Sequence, residues 1–237
     1  MTGKTFVLIH GGFHGGWCWK AVARRLRALG HEVHTPSHTG MGERAHLAAG
    51  AMGMATFEED LLRLFHYEDI TDAVVVGHSF GGSAVSILAD RLPDRVRHLV
   101  YLDAMVLQDG QSPLDTAPPG RIEQYRANAV DTANGKVIPP ADPAAFGIAD
   151  PQMAEWVRAR LTPQPLQTFL DPIHLAHPLG NGLPATYIAC TQPWWSGTGS
   201  SRDLARKMPG WDWVELPCGH DAMLLLPDEL SDILAAI

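Results

Sequence analysis

Gly77-His78-Ser79-Phe80-Gly81 sets a serine between two glycines, each two positions away. A serine hydroxyl becomes a nucleophile when a base takes its proton and donors hold the charge formed on the attacked carbonyl oxygen. The flanking residues suit that chemistry. Ala73-Val74-Val75-Val76 reads as a buried strand, and Ser83 to Leu92 reads as a helix stopped before Pro93. Such a strand–turn–helix passage holds the serine on a strained turn, where larger flanking residues would collide with the neighbouring elements. The dipole of the following helix then faces the developing negative charge.

The base must come from the same edge of the fold. The chain has 12 histidines, so position decides. His220 lies in Cys218-Gly219-His220-Asp221, after a strand over Asp212–Leu216 and before a last helix over Pro227–Ala236. That places it at the C-terminal ends of the strands with Ser79, where open α/β sheets bind ligands. His10-Gly11-Gly12 closes the first apolar strand, Phe6–Ile9, and the backbone N–H groups of Gly12 and Phe80 are the assigned oxyanion donors. His78 is expected to brace the turn, and His174 and His177 are further candidates to touch substrate. His31, His34 and His38 form neither H-E-x-x-H nor any other tight ligand spacing, so neither metal nor cofactor is expected. Gly3-Lys4-Thr5 precedes its strand and lacks the upstream glycine pattern, which excludes a phosphate loop.

The elements that must position these residues alternate. A helix over Ala21–Leu29 ends at Gly30, and Glu32–Pro36 is extended. Thr56-Phe57-Glu58-Glu59 reads as a capping box opening a helix that carries Leu61, Leu62 and Phe65. The strand Val96–Asp103 follows the serine's helix, and Ala185–Cys190 and a helix near Ser201–Met208 resume the pattern later. This order predicts an α/β fold with a mostly parallel central sheet flanked by helices and joined by right-handed crossovers. Between Met105 and Gly182 prolines crowd a stretch with helical pieces only at 152–161 and 166–170. It reads as a cap (105–182) inserted into a core of 1–104 and 183–237.

At 237 residues, 46% hydrophobic and 19% charged, the chain is one ordinary domain with an insertion and is not disordered. Its 18 basic and 26 acidic residues give −8, which argues against nucleic acid and anionic membranes as partners. Cys18, Cys190 and Cys218 are too few and too scattered for a disulfide framework. Met1-Thr2-Gly3-Lys4-Thr5 runs into a short strand with no leader pattern, and no apolar run reaches membrane-span length, so a cytoplasmic location is expected. The expected partner is a small-molecule ester, with a homodimer as the candidate assembly.

Three segments carry a family resemblance: His10-Gly11-Gly12-Phe13-His14-Gly15-Gly16-Trp17-Cys18-Trp19, the serine turn, and Gly219-His220-Asp221. With them the chain resembles the α/β-hydrolases of the plant methylesterase and hydroxynitrile lyase group and their bacterial esterase relatives. The resemblance implies Ser79 as nucleophile, His220 as base, and Gly12 with Phe80 as the oxyanion hole. It departs at the third member. The plant proteins carry an acid after the strand matching Tyr187–Cys190, in a segment reading roughly T-Q-D, whereas this chain has Thr191-Gln192-Pro193. Asp103, ending the preceding core strand, is assigned instead, as in haloalkane dehalogenases and cofactor-free dioxygenases, with Asp203 and Asp212 in reserve. Asp103 could alternatively cap the next turn.

Phe13, His14, Trp156, Trp194, Trp195 and Met223 are the candidate substrate contacts, with Phe146 and Phe169 as further pocket aromatics. The activity expected is a serine carboxylesterase acting on small aromatic or otherwise apolar esters through an acyl-enzyme. A cofactor-free dioxygenase, a hydroxynitrile lyase and a hydrolase-like ligand receptor are the alternatives. The lyases carry lysine after the histidine where this chain has Asp221, and a dehalogenase would need a carboxylate at position 79.

Overall fold

The computed structural model describes residues 3–48, 52–133 and 135–237; Met1 and Thr2, the start of the segment read for a leader, lie outside it. In chain order the strands are β1 (Thr5–Ile9), β2 (Glu32–His34), β3 (Ala73–His78), β4 (Val96–Leu102), β5 (Val130–Thr132), β6 (Gly135–Ile138), β7 (Gln164–Pro165), β8 (Ala185–Cys190) and β9 (Trp211–Leu216). The α-helices are α1 (Lys20–Ala28), α2 (Met54–Tyr67), α3 (Gly82–Arg91), α4 (Arg121–Asn128), α5 (Pro151–Arg158), α6 (Gln167–Leu170), α7 (Gly199–Ala205), α8 (Ala222–Leu225) and α9 (Pro227–Ala236).

Six strands form one parallel sheet in the order β2-β1-β3-β4-β8-β9. Side chains alternate across it, as the two-residue strand period requires. Phe6, Leu8, Val74 and Val76 pack with Val22 and Leu26 of α1 and Leu230 and Leu234 of α9. Val7, Ile9, Val75 and Tyr101 pack with Leu61 and Phe65 of α2 and Val85 and Leu88 of α3. Both faces are therefore covered, which is why the strands read as unbroken apolar runs. The order reverses about β1, with β2 on one side and β3 on the other. The resulting crevice lies at their C-terminal ends, beyond Ile9 and His78.

Residues 105–182 contribute α4, α5, α6 and a small antiparallel sheet, β5-β6-β7. Their apolar side chains, including Leu114, Ile138 and Phe169, form a third cluster with Phe13, Phe57 and Phe80. The β5–β6 pair and α4 are not anticipated by the sequence pattern, because they are short and largely exposed. The start of α2 also differs from its capping-box reading. Thr56 lies inside the helix, and the Asp171 side chain accepts the Met54 N–H at 2.9 Å, so an aspartate 117 residues away acts as the cap. Gly30 has φ 86°, in the left-handed region expected of a helix terminator. Cys18, Cys190 and Cys218 are free and buried. Among the described residues no helix is long and apolar enough to cross a membrane.

Candidate active site

Ser79 sits on the turn between β3 and α3 with φ 53°, a conformation that costs of order 1–3 kcal/mol for a non-glycine residue. Its carbonyl accepts the Met105 N–H at 2.9 Å, which helps to hold the turn. The turn also depends on missing side chains. A Cβ on Gly77 would stand 2.4 Å from the Gly81 carbonyl oxygen. A Cβ on Gly11 would stand 2.7 Å from His78 Nδ1 and 3.0 Å from Ser79 Cβ, so glycine lets the β1 loop approach the serine.

His220, on the loop after β9, brings Nε2 to 2.8 Å from Ser79 Oγ. Its Nδ1 lies 2.6 Å from Asp103 Oδ2. Asp103 follows β4 with φ 40°, and its N–H donates to the Ile188 carbonyl at 2.7 Å. The other carboxylate oxygen, Oδ1, accepts from Arg202 Nη1 at 3.2 Å and from Thr198 Oγ1 at 3.3 Å. Arg202 also donates to the Trp195 carbonyl and lies over the Trp194 ring, 4.5 Å from its centroid. The loop carrying Thr191-Gln192-Pro193 thus supplies no carboxylate; the one just after β4 is oriented by Thr198 and, from α7, Arg202. Asp203 lies on an outer cleft and Asp212 on edge strand β9, near His98.

A second buried polar group lies under the site. His14 Nε2 is 3.1 Å from Asp221 Oδ2, and His14 Nδ1 is 2.7 Å from the Gly12 carbonyl. Both ring nitrogens face acceptors, so the ring is an imidazolium. Burial pushes its pKa down, but the Asp221 charge and these hydrogen bonds hold it above the ordinary value. Burial likewise pushes Asp221 up, and His14 overcomes it to hold that carboxyl below its usual range. His78 Nε2 donates to the His220 carbonyl at 3.0 Å; burial, together with the neighbouring His220, keeps this ring neutral. The loops bearing Gly12 and His220 are therefore tied together beneath the reacting groups.

Phe13, at φ 68°, is clasped by Thr162 and Gln164. Its N–H donates to Gln164 Oε1 at 2.8 Å, and its carbonyl accepts from the Thr162 N–H at 2.9 Å. Above Ser79 is a cavity of about 70 Å³ lined by Gly12, Phe80, Phe13, Phe146, Phe169 and Trp195, with Met105, Arg121, Tyr125, Ala141 and Ala145 completing it. Trp195 stacks on the His220 ring at 3.9 Å between centroids. Phe80 N–H belongs to the first turn of a helical segment, where no preceding turn accepts it.

Of the candidate substrate contacts, Phe13 and Trp195 line this cavity and four do not. Trp194 is 48% exposed on the outer cleft with Arg202. Trp156 is 38% exposed and packs on Trp17 and Arg160. Met223 is wholly buried in the core beneath α8. His14 is committed to Asp221. His174 and His177 also lie elsewhere, near Asp109 and Asp90. The sequence does not single out Tyr125, Arg121, Gln164, Thr198 or Arg202, since single polar residues outside a motif carry no local signal. Among the described residues no group of three or more His, Cys, Asp or Glu side chains is arranged to hold a metal.

Residues 6–233 match the alpha/beta hydrolase family, and the chain belongs to it. It is 37% identical to a carbendazim hydrolyzing esterase of Nocardioides, over 98% of both chains. It is 29% identical to a pyrethroid hydrolase of Sphingobium wenxiniae, over 99% of this chain and 88% of that one. Among solved structures, an extracellular alpha/beta-hydrolase from a Paenibacillus species superposes with a TM-score of 0.85 at 22% identity, over 98% of each chain, which shows the shared fold.

Proposed function

We propose that this protein is a serine carboxylesterase that hydrolyses small, apolar or aromatic esters through an acyl-enzyme. The observation that carries the reading is the continuous buried line from Ser79 Oγ through His220 to Asp103, at 2.8 and 2.6 Å, opening into an apolar cavity. The esterase and hydrolase names of the relatives support it.

As Ser79 Oγ attacks the ester carbonyl, its proton passes to His220 Nε2. Asp103 keeps the other ring proton on Nδ1 and stabilises the imidazolium. The N–H groups of Gly12 and Phe80 receive the oxyanion. The C–O bond to the alcohol breaks, and the alcohol leaves with the proton from His220. Water then attacks the acyl-serine, giving its proton to His220, and the acid leaves as Ser79 regains its hydrogen. Trp195 and Phe146 cover the imidazole and limit solvent access to it. The lyase alternative is disfavoured because Asp221, which occupies the position of the lyase lysine, is a buried carboxylate paired with His14.

The reading is tested by release of p-nitrophenol from p-nitrophenyl acetate by wild type and by Ser79→Ala. Turnover that vanishes in the variant is expected; equal rates would reject Ser79 as nucleophile.

A further inference from the structure

The walls of the cavity above Ser79 include one charged side chain, Arg121. An outer groove of about 350 Å³ continues from this cavity, sharing Phe13, Arg121, Tyr125 and Ala141 with it, and Arg121 is again the one charged residue in its lining. Arg121 therefore lies where the two spaces meet. Arg121 is half-buried at the start of α4, beside the Tyr125 ring, 6.0 Å from its centroid. Arg121 forms no ion pair among the described residues. By contrast Arg25, Arg91, Arg97, Arg158, Arg202 and Arg206 each reach a carboxylate. Arg95 and Arg160 likewise reach no carboxylate and donate to backbone carbonyls instead; Arg121 differs from them in lining the cavity above Ser79. Arg121 hydrogen-bonds the Tyr125 side chain, which engages a donor but supplies no counter-charge, and partial burial of a charge is unfavourable unless a counter-charge meets it.

The neighbouring groups extend the pattern. Gln124 and Asn128 also line the outer groove, and positions 121, 124, 125 and 128 fall on one face of a helix. That face offers a planar, permanently charged donor at the junction and two amides farther out. The Ser79 end offers only aromatic and aliphatic surface around the reacting groups. An elongated ligand would thus place an uncharged ester inside and one anionic group at the junction.

We infer that Arg121 is an anion-binding subsite and that the preferred substrates are esters bearing a single carboxylate remote from the scissile carbonyl, such as half-esters of dicarboxylic acids or acyl esters of carboxylated phenols. The inference rests on the esterase reading and specifies its substrate. The carboxylate is bound at the guanidinium fork while Ser79 acts on the ester, so KM carries the larger part of the effect.

Two charged and neutral pairs test it: mono-p-nitrophenyl glutarate against p-nitrophenyl valerate, and 4-acetoxybenzoate against phenyl acetate. At least one charged member is expected to exceed its neutral twin in kcat/KM by tenfold or more, about 1.4 kcal/mol. Arg121→Met should collapse that ratio toward one, Arg121→Lys should retain part of it, and added NaCl should lower the charged member alone. Ser79-dependent turnover in which neither charged ester is preferred overturns the subsite and leaves the esterase intact. A preference that survives Arg121→Met overturns it equally. If no ester is turned over, the esterase reading fails, and calorimetric binding of monomethyl glutarate to Ser79→Ala decides the subsite. Binding weakened tenfold by adding Arg121→Met supports it, and absent or unchanged binding overturns it.

Discussion

Asparagine at position 103 keeps the side chain's shape and removes its charge, so Asp103→Asn isolates what the carboxylate does for His220. The surroundings determine which way the amide points. Oδ1 receives Arg202 Nη1 at 3.2 Å and Thr198 Oγ1 at 3.3 Å, and a guanidinium cannot accept a hydrogen bond. The amide oxygen must take that side, leaving the NH₂ facing His220 Nδ1, now 2.6 Å from Oδ2. Nδ1 must then accept, and the single ring proton moves to Nε2, the atom 2.8 Å from Ser79 Oγ. A protonated Nε2 cannot take the serine's proton. The loss expected for this wrong tautomer is on the order of 10⁴ in kcat, or about 5 kcal/mol in the barrier. Steady-state hydrolysis of p-nitrophenyl acetate measures it, with a urea midpoint to show that the variant is folded. A folded Asp103→Asn protein with kcat within about tenfold of wild type would refute the tautomer argument and the role given to Asp103.

The His14–Asp221 pair gives a pH signature. The Asp221 contribution is present above its unfolded pKa of about 3.9 and is lost as pH falls through its lowered folded value; that of His14 is present below about 6.5 and is lost as pH rises through its raised one. Asp221→Asn should therefore destabilise most near pH 5–6, by about 3–5 kcal/mol, and less at pH 9, as measured by urea unfolding. An equal cost at both pH values would contradict this. The difference between variant and wild type is the quantity to compare, because burial holds His10 (at about 4), His38 and His78 below their usual values, which destabilises both proteins as pH falls below about 6.5. Gly11→Ala should lower kcat on the order of 10²-fold, since its Cβ would meet His78 Nδ1 and Ser79 Cβ; unchanged kinetics would show that the loop has room. Asp171→Ala should cost about 1 kcal/mol by uncapping α2, and an unshifted urea midpoint would contradict it.

What was legible in the sequence was what depends on local pattern. The β3–Ser79–α3 passage can be read because an apolar run, a glycine turn and a helix occupy adjacent residues. His220 and Asp103 can be read because each sits just past a strand, and parallel strands bring all such positions to one edge. The side-chain contacts around the site resisted for the opposite reason. Trp194 and Trp195 are neighbours of identical type, yet one faces the outer cleft and the other lies on His220. Nothing in their local sequence states which way each ring turns. Asp171 capping α2, Gln164 holding Phe13, and Arg202 holding Asp103 are contacts across 99 to 151 residues. Such contacts exist only once the chain has folded. The departure at Thr191-Gln192-Pro193 was visible as a missing acid, but its replacement by the donors Thr198 and Arg202 was not.

The most direct test of the central claim is to trap the nucleophile. Incubation with p-nitrophenyl diethyl phosphate, followed by intact-mass and peptide mass spectrometry, should add one diethylphosphoryl group per chain, on the peptide containing Ser79, as esterase activity is lost. Ser79→Ala should remain unlabelled. An active wild type that takes no label, or a label found equally on Ser79→Ala, would contradict a Ser79 acyl-enzyme.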